Sequence, residues 1–427
     1  MIKYLKLKAN FPTTWFGISI VFFITISFLS PTIQLLVTHG FPPNSVFDYL
    51  IILLPDFGFA SVLISHLIFN KIKSFKFKLI DYAISGFLFI NIVWGGFLSD
   101  DLIDALKSIR LTYLPLTFYF VARSWKPNEL ELKSTINTVF SVYLILAIFG
   151  WIIWLFFPSL TNLFYYYSGH PVASYFIVRM TSLLWTPVLF GTLMAWTAYF
   201  YYWKFIKSES FNFSAALFLI ITFSALVMSV SRGALLAFYI VLLLLLPFTI
   251  KWKKTLAVFI GLLIVQGLIS LSINGKLEMQ NWVFSSTTSA IKLENKETRV
   301  SRWAESYEDF KAKPEGYGLG NAGAVSFNSE EQNNEASLST DGWFLKLACE
   351  TGWTGLISFA SLALICFLEL WRNRFNNINK MEFSSLGFVL IVFFQCFASN
   401  VLDFYPYIGI FWFILGLSIE DKHTYRL

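Results

Sequence analysis

Apolar residues run through this chain in stretches of about span length, divided by short polar breaks, and only one polar stretch is long. A helix needs roughly 20 apolar residues to cross a bilayer. That rule predicts about twelve spans, near residues 15–37, 46–69, 79–98, 104–122, 135–157, 181–203, 212–230, 232–250, 255–273, 351–370, 382–399 and 405–420. The seventh and eighth touch at residues 229–233 with no room for an ordinary loop, and the fourth carries Lys107 and Arg110 in its first turns. The long polar stretch, 274–342, falls between the ninth and tenth. The first apolar run has no small-residue cleavage site and reads as an uncleaved helix. No internal repeat is visible, so the inverted-repeat signature of many secondary transporters is absent.

Composition and charge turn this pattern into a topology. The chain is 56% hydrophobic and only 14% charged, against about 25% charged residues in soluble domains, which makes it an all-α polytopic integral membrane protein. Lysines and arginines alternate along it. Lys71, Lys73, Lys76 and Lys78 follow the second span, Lys204 and Lys207 the sixth, Lys251, Lys253 and Lys254 the eighth, and Arg372, Arg374 and Lys380 the tenth. Every even-numbered loop is basic, so these loops and both termini are expected in the cytoplasm and the long polar loop outside. The net charge of +6 is spent on topology in short clusters, and no nucleic-acid partner is expected. Cys349, Cys366 and Cys396 have neither pair nor metal-ligand spacing and read as small buried apolar residues. The four histidines are far apart and the acidic pair Asp100-Asp101 is a doubtful ligand set, so no metal and no cofactor is expected.

Three arginines break the charge rule. Arg110, Arg179 and Arg232 lie at or near the outer ends of spans, where a charge facing lipid costs several kcal/mol. Snorkelling to head groups can satisfy any one of them. For all three, with Arg299 and Arg302 in the loop on the same side, a shared anionic ligand explains more. Guanidinium groups stay charged and grip phosphate oxygens bidentately, which suits a diphosphate.

The motifs around these arginines are Arg179-Met180-Thr181-Ser182-Leu183-Leu184-Trp185-Thr186-Pro187, Ser231-Arg232-Gly233-Ala234, and Thr298-Arg299-Val300-Ser301-Arg302-Trp303. Further on come Pro314-Glu315-Gly316-Tyr317-Gly318-Leu319-Gly320 and the stretch from Asp341-Gly342-Trp343 to Glu350-Thr351-Gly352. The Gly233 after Arg232 is expected to permit the tight connection between two spans. Over roughly residues 175–370 this set resembles the O-antigen polymerase and ligase superfamily; the first five spans match only in hydropathy. The resemblance implies a GT-C-like membrane glycosyltransferase with a large, partly helical periplasmic loop between spans nine and ten. It divides the chain into N-terminal spans (1–174), a polymerase or ligase core with the loop (175–370), and C-terminal spans (371–427).

By the same resemblance, Arg232 and Arg299 hold the diphosphate of an undecaprenyl-diphosphate-linked oligosaccharide donor, with Arg179 and Arg302 beside them. Gly318 and Gly320 match a Gly-x-Gly that turns the loop back toward the membrane, and Glu350 and Gly352 match the acidic residue and glycine that begin the next span. Ligases of the superfamily carry His-Asn where this chain has Asp341-Gly342, and that departure moves the reading toward repeat-unit polymerisation.

The chemistry needs cations at the leaving diphosphate and at most one base for the acceptor hydroxyl. Asp341 is the candidate base, although it also suits a helix N-cap before Phe344 and Leu347, and the two roles can coexist. Glu305, Glu350 and Arg110 are secondary candidates. Glu350 can instead sit at the membrane surface, Arg110 can pair with Asp104, and Asp56, Asp81 and Asp403 are expected to pair with polar neighbours. The Tyr165-Tyr166-Tyr167 run reads first as an interfacial belt.

The expected protein is thus a multi-pass bacterial inner-membrane polymerase that joins lipid-linked repeat units at the outer leaflet, acceptor as well as donor being lipid-linked, with room for a chain-length regulator. Two alternatives stand beside it, a ligase that passes the glycan to lipid A-core or another acceptor, and a non-enzymatic transporter of lipid-linked oligosaccharide. A transporter would place charges along a path through the spans, whereas these arginines gather at one face.

Overall fold

A computed structural model describes residues 14–38, 53–69, 76–125, 127–157, 160, 179–184, 186–246, 251–274, 299–323, 340, 342–373, 383–405 and 407–419. Among them the long elements are helices. They are α1 (Trp15–Thr38), α2 (Leu54–Phe69), α3 (Leu79–Leu98), α4 (Leu102–Ser108), α5 (Thr117–Ser124), α6 (Glu129–Phe156) and α7 (Pro187–Lys207). Then come α8 (Phe213–Met228), α9 (Arg232–Leu245), α10 (Trp252–Asn274), α11 (Arg299–Ala312), α12 (Trp343–Arg372), α13 (Ser385–Cys396) and α14 (Ile408–Ser418). Four stretches among the described residues are long and apolar enough to cross a membrane: Leu79–Leu98, Glu129–Phe156, Trp252–Ile269 and Trp343–Arg372. The described residues are thus helical throughout their long elements and compatible with a polytopic membrane protein. Their apolar outer faces agree with this, since Phe97, Leu102, Phe156 and Leu271 are all exposed, which in water would be costly.

Two compact units interleave along the sequence. The first takes Met1–Phe75, Val121–Val230 and Phe375–Ser385. Its centre is α7, in which residues on every face are buried, the mark of a helix surrounded by others. Phe200 of α7 stacks on Phe140 of α6 at 4.1 Å between ring centroids, with Phe383 edge-on to both. Close packing of α1 on α2 relies on Gly58, where a Cβ would lie 2.8 Å from Ile26 Cγ2.

The second unit takes Lys76–Phe120, Ser231–Arg374 and Leu386–Leu427. Here α3 runs along α12, with Phe87 against Phe359 and Asn91 bridging to Thr351 and Ser358 by hydrogen bonds of 2.9 and 3.1 Å. Asp81 at the start of α3 accepts from the Lys78 amide and the Tyr119 hydroxyl, the polar pairing expected of it.

The fourth expected span is not one regular helix. After α4 the chain widens into a π-turn at Ile109–Tyr113 and tightens into a 3-10 turn at Leu114–Leu116 before α5 begins. Pro115 lacks the amide proton that a continuous α-helix needs, and the π-turn before it gathers the slack. The tenth expected span also differs. Its helix begins at Trp343 and breaks at Gly352, where φ is 65° and ψ −148°.

Candidate functional site

The break at Gly352 organises the polar centre of the second unit. Without regular helical bonding there, the carbonyls of Cys349 and Glu350 accept from the amides of Tyr317 (2.7 Å) and Gly318 (2.9 Å), and the Trp353 amide donates to the Pro314 carbonyl (3.2 Å). The segment 314–320 thus replaces part of the helix's own ladder. On its other side the Leu319 amide donates to the Gly95 carbonyl at 3.0 Å, at the end of α3. Only glycine fits this slot. Gly318 has φ +98° and a Cβ on it would lie 2.5 Å from Ser99 Cα, while Gly352 has φ +65° and a Cβ would lie 2.2 Å from the Pro314 oxygen. The Gly-x-Gly segment threads between two helices, α3 and α12.

Beneath this segment lies a buried cluster of charge. Lys346 Nζ is 2.7 Å from Asp403 Oδ1 and 3.7 Å from Glu350 Oε2, with side-chain exposures of 0–2%. Thr112, on the π-turn, accepts from Lys346 Nζ (2.9 Å) and donates to Asp403 Oδ1 (2.7 Å). Glu350 Oε1 accepts from the Gly320 amide (2.9 Å) and the Ser108 hydroxyl (3.3 Å). Two carboxylates share one ammonium, and an arrangement so well removed from water holds only because each charge has partners. The wide π-turn explains how Ser108 and Thr112 reach two different members of the cluster. Glu350 therefore lies in the interior and not at a surface. Asp403 has the polar neighbours expected of it, but sequence reasoning missed Lys346, Thr112 and Ser108; the one local signal was a lysine and a glutamate four apart in an apolar run.

The candidate arginines occupy distinct settings. Arg232 is exposed and opens α9; Arg299 opens α11 and Arg302 stands in its first turn. In the first unit, Arg179 donates to the carbonyls of Ser229 (3.0 Å) and Val230 (3.3 Å), which follow the end of α8. That is a helix C-terminal cap by a cation, in the orientation the helix dipole favours. Arg110 lies over the Tyr405 ring, 5.6 Å from its centroid, whereas Asp104 pairs with Lys107 at 2.6 Å. Glu305 is exposed on α11. Asp341 lies outside the described residues, as does the Tyr165–Tyr167 run; the N-cap position of α12 falls on Gly342, whose amide donates to Asn400 Oδ1 at 3.2 Å, and not on Asp341.

The expectation for Gly233 also needs correction. The residue with left-handed backbone before α9 is Val230, at φ 56°, while Gly233 is helical and lets α9 approach Ala398, whose Cβ would be 2.9 Å from an added methyl. The glycine serves packing, and the turn is made by a β-branched residue in a strained conformation.

Residues 217–360 match the family model described as O-Antigen ligase. That match supports the resemblance of this part of the chain to the O-antigen polymerase and ligase superfamily. The matched segment begins within α8 and ends within α12, so it contains Arg232, α11 with Arg299 and Arg302, the glycine segment and Glu350, and leaves out Arg110, Arg179 and Asp403. This family implies a membrane glycosyltransferase-like enzyme that works on lipid-linked glycans in a multi-pass bacterial membrane protein. No curated protein matches the chain.

Proposed function

We propose that this protein is a polysaccharide polymerase of the O-antigen type, transferring a glycan chain from undecaprenyl diphosphate onto a lipid-linked repeat unit at the outer leaflet of the bacterial inner membrane. The observation that carries the reading is that the family match spans two helices, α9 and α11, each opened by an arginine, Arg232 and Arg299. A cation at a helix N-terminus opposes the helix dipole. A bound diphosphate reverses that penalty, because its oxygens take both the guanidinium and the free amides of the first turn. Arg302, one turn into α11, adds charge to the same end, and Arg179 is assigned to the diphosphate region through its place in the motif.

In the proposed reaction the acceptor hydroxyl oxygen attacks the anomeric carbon of the donor. The bond from that carbon to the diphosphate oxygen breaks, and the electron pair leaves on the diphosphate, where the arginines neutralise it. The hydroxyl proton passes to a base, for which Asp341 is the candidate. No metal is assigned to the step. About twelve spans, cytoplasmic termini and an external loop at 274–342 complete the proposal.

A ligase is the second reading, favoured by the description of the matching family; Asp341-Gly342 in place of His-Asn favours the polymerase. Purified protein given a lipid-linked repeat unit should yield a ladder of products on a gel. Arg232→Ala and Arg299→Ala proteins that accumulate normally should lose about 100-fold or more in rate. Transfer to lipid A-core with no ladder would establish the ligase, and full activity in both variants would overturn the diphosphate assignment.

A further inference from the structure

We infer that Glu350 is a positioning residue, a latch that fastens the loop carrying Arg299 and Arg302 to the membrane helices through its acceptor oxygens. It takes no part as a base. Glu350 holds the glycine segment twice, its backbone carbonyl accepting from the Gly318 amide at 2.9 Å and its carboxylate Oε1 from the Gly320 amide at 2.9 Å. The same carboxylate takes the Ser108 hydroxyl, so one side chain ties the end of α4 and the glycine segment to α12. Behind it, Lys346 joins Glu350 to Asp403 and Thr112, which fixes the latch to the π-turn and to the 3-10 turn Val401–Asp403.

The link to the loop is short. From Gly316, residues 313–315 lead straight into α11. That helix is pinned to α12 as well, since Phe310 packs edge-on to Trp353 at 5.0 Å and the Tyr317 hydroxyl donates to the Asp309 carbonyl at 3.1 Å. A shift of the glycine segment therefore carries the arginine end of α11 with it. Full burial of Glu350, at 0% exposure, keeps it from touching a glycan, which is why it positions and does not react. Among the described residues, Tyr113, Cys349 and Cys396 also lie in the electrostatic field of Glu350 or Asp403, and none of these three is a cation.

The test compares Glu350→Gln with Glu350→Ala in the full-length protein, by amide hydrogen exchange at 316–320 and by the kinetics of chain elongation. Glutamine keeps an acceptor for the Gly320 amide and leaves Lys346 and Asp403 as a neutral pair. It should preserve exchange protection and hold kcat within about threefold of the parent. Alanine removes the acceptor, so exchange at Gly320 should quicken by about tenfold or more, and KM for the lipid-linked donor should rise about tenfold with a smaller change in kcat. A Glu350→Gln protein with intact protection but kcat lowered about 100-fold would mark Glu350 as a base and overturn the inference. So would a Glu350→Ala protein with unchanged exchange. Should the alanine protein fail to accumulate, the glutamine arm decides alone. The kinetic arm rests on the proposed glycosyl transfer, while the exchange arm does not, so an inactive parent with the expected exchange pattern would count against the proposed function and leave the latch standing.

Discussion

Gly318→Ala tests the threading of the glycine segment most directly. The glycine has φ +98°, and an added Cβ would come 2.5 Å from both the amide nitrogen and the Cα of Ser99 and 2.6 Å from the Leu98 carbonyl carbon. All three contacts are backbone, so no side chain can swing away, and relief requires separating the segment from the end of α3. An L-residue in such a backbone conformation costs about 1–3 kcal/mol, and forcing a methyl into a closed gap costs about 1–3 kcal/mol more. Movement is opposed on the far side by the Gly318 amide bond to the Glu350 carbonyl. The expected loss is roughly 2–6 kcal/mol. The control is Gly86→Ala in the same helix α3, where nothing lies within 4 Å of the new methyl and the exchange should be neutral or stabilising by up to about 1 kcal/mol. Thermal unfolding of the two detergent-solubilised variants, followed by the loss of the monodisperse chromatographic peak, should separate them clearly. Equal midpoints for Gly318→Ala and Gly86→Ala would refute the threading.

Lys346→Met removes the cation that contacts both Asp403 and Glu350 in an interior 0–2% exposed; a loss of about 3–5 kcal/mol is expected, seen as a fall in folded yield, and adding Asp403→Asn and Glu350→Gln should restore most of it. Arg179→Ala strips donors from the Ser229 and Val230 carbonyls and should lower thermal stability by about 1–3 kcal/mol, whereas Arg232→Ala, at an exposed position, should leave the melting midpoint in place while activity falls. Burial and the nearby Glu305 raise the Asp309 carboxyl above its usual 3.8. Its ionised form is then the one the fold disfavours, so this stability contribution is full below the unfolded value and is lost as pH rises through the raised one; Asp309→Asn should stabilise slightly at neutral pH and do nothing near pH 3, measured by melting across that range.

Hydropathy made the helices legible because each span is a local property: about 20 apolar residues announce themselves wherever they fold. The glycine segment was legible only as a Gly-x-Gly turn at Gly318 and Gly320; that these residues press against the backbones of two helices is set by the fold. What the sequence hid is the partner of each feature. Thr112 meets Lys346 across 234 residues, and Asp403 meets it across 57, and no local pattern encodes such pairings. Glu350 illustrates the consequence. Read along the chain, an acidic residue at the start of a span is a candidate site residue or a surface one, and Lys346 four residues earlier is the one local hint of a third place for it. The fold supplies Lys346 one turn earlier and the Gly320 amide from a loop thirty residues back, and the cost of burial that argued for the surface disappears. The same logic separates the arginines. Arg179 has backbone carbonyls for its donors, which makes its charge a structural asset to α8, while Arg232 and Arg299 open helices whose dipoles oppose them. In the proposed function a bound diphosphate takes up the guanidinium group and the free first-turn amides of each of these helix starts together, and the Arg232→Ala and Arg299→Ala variants test that pairing.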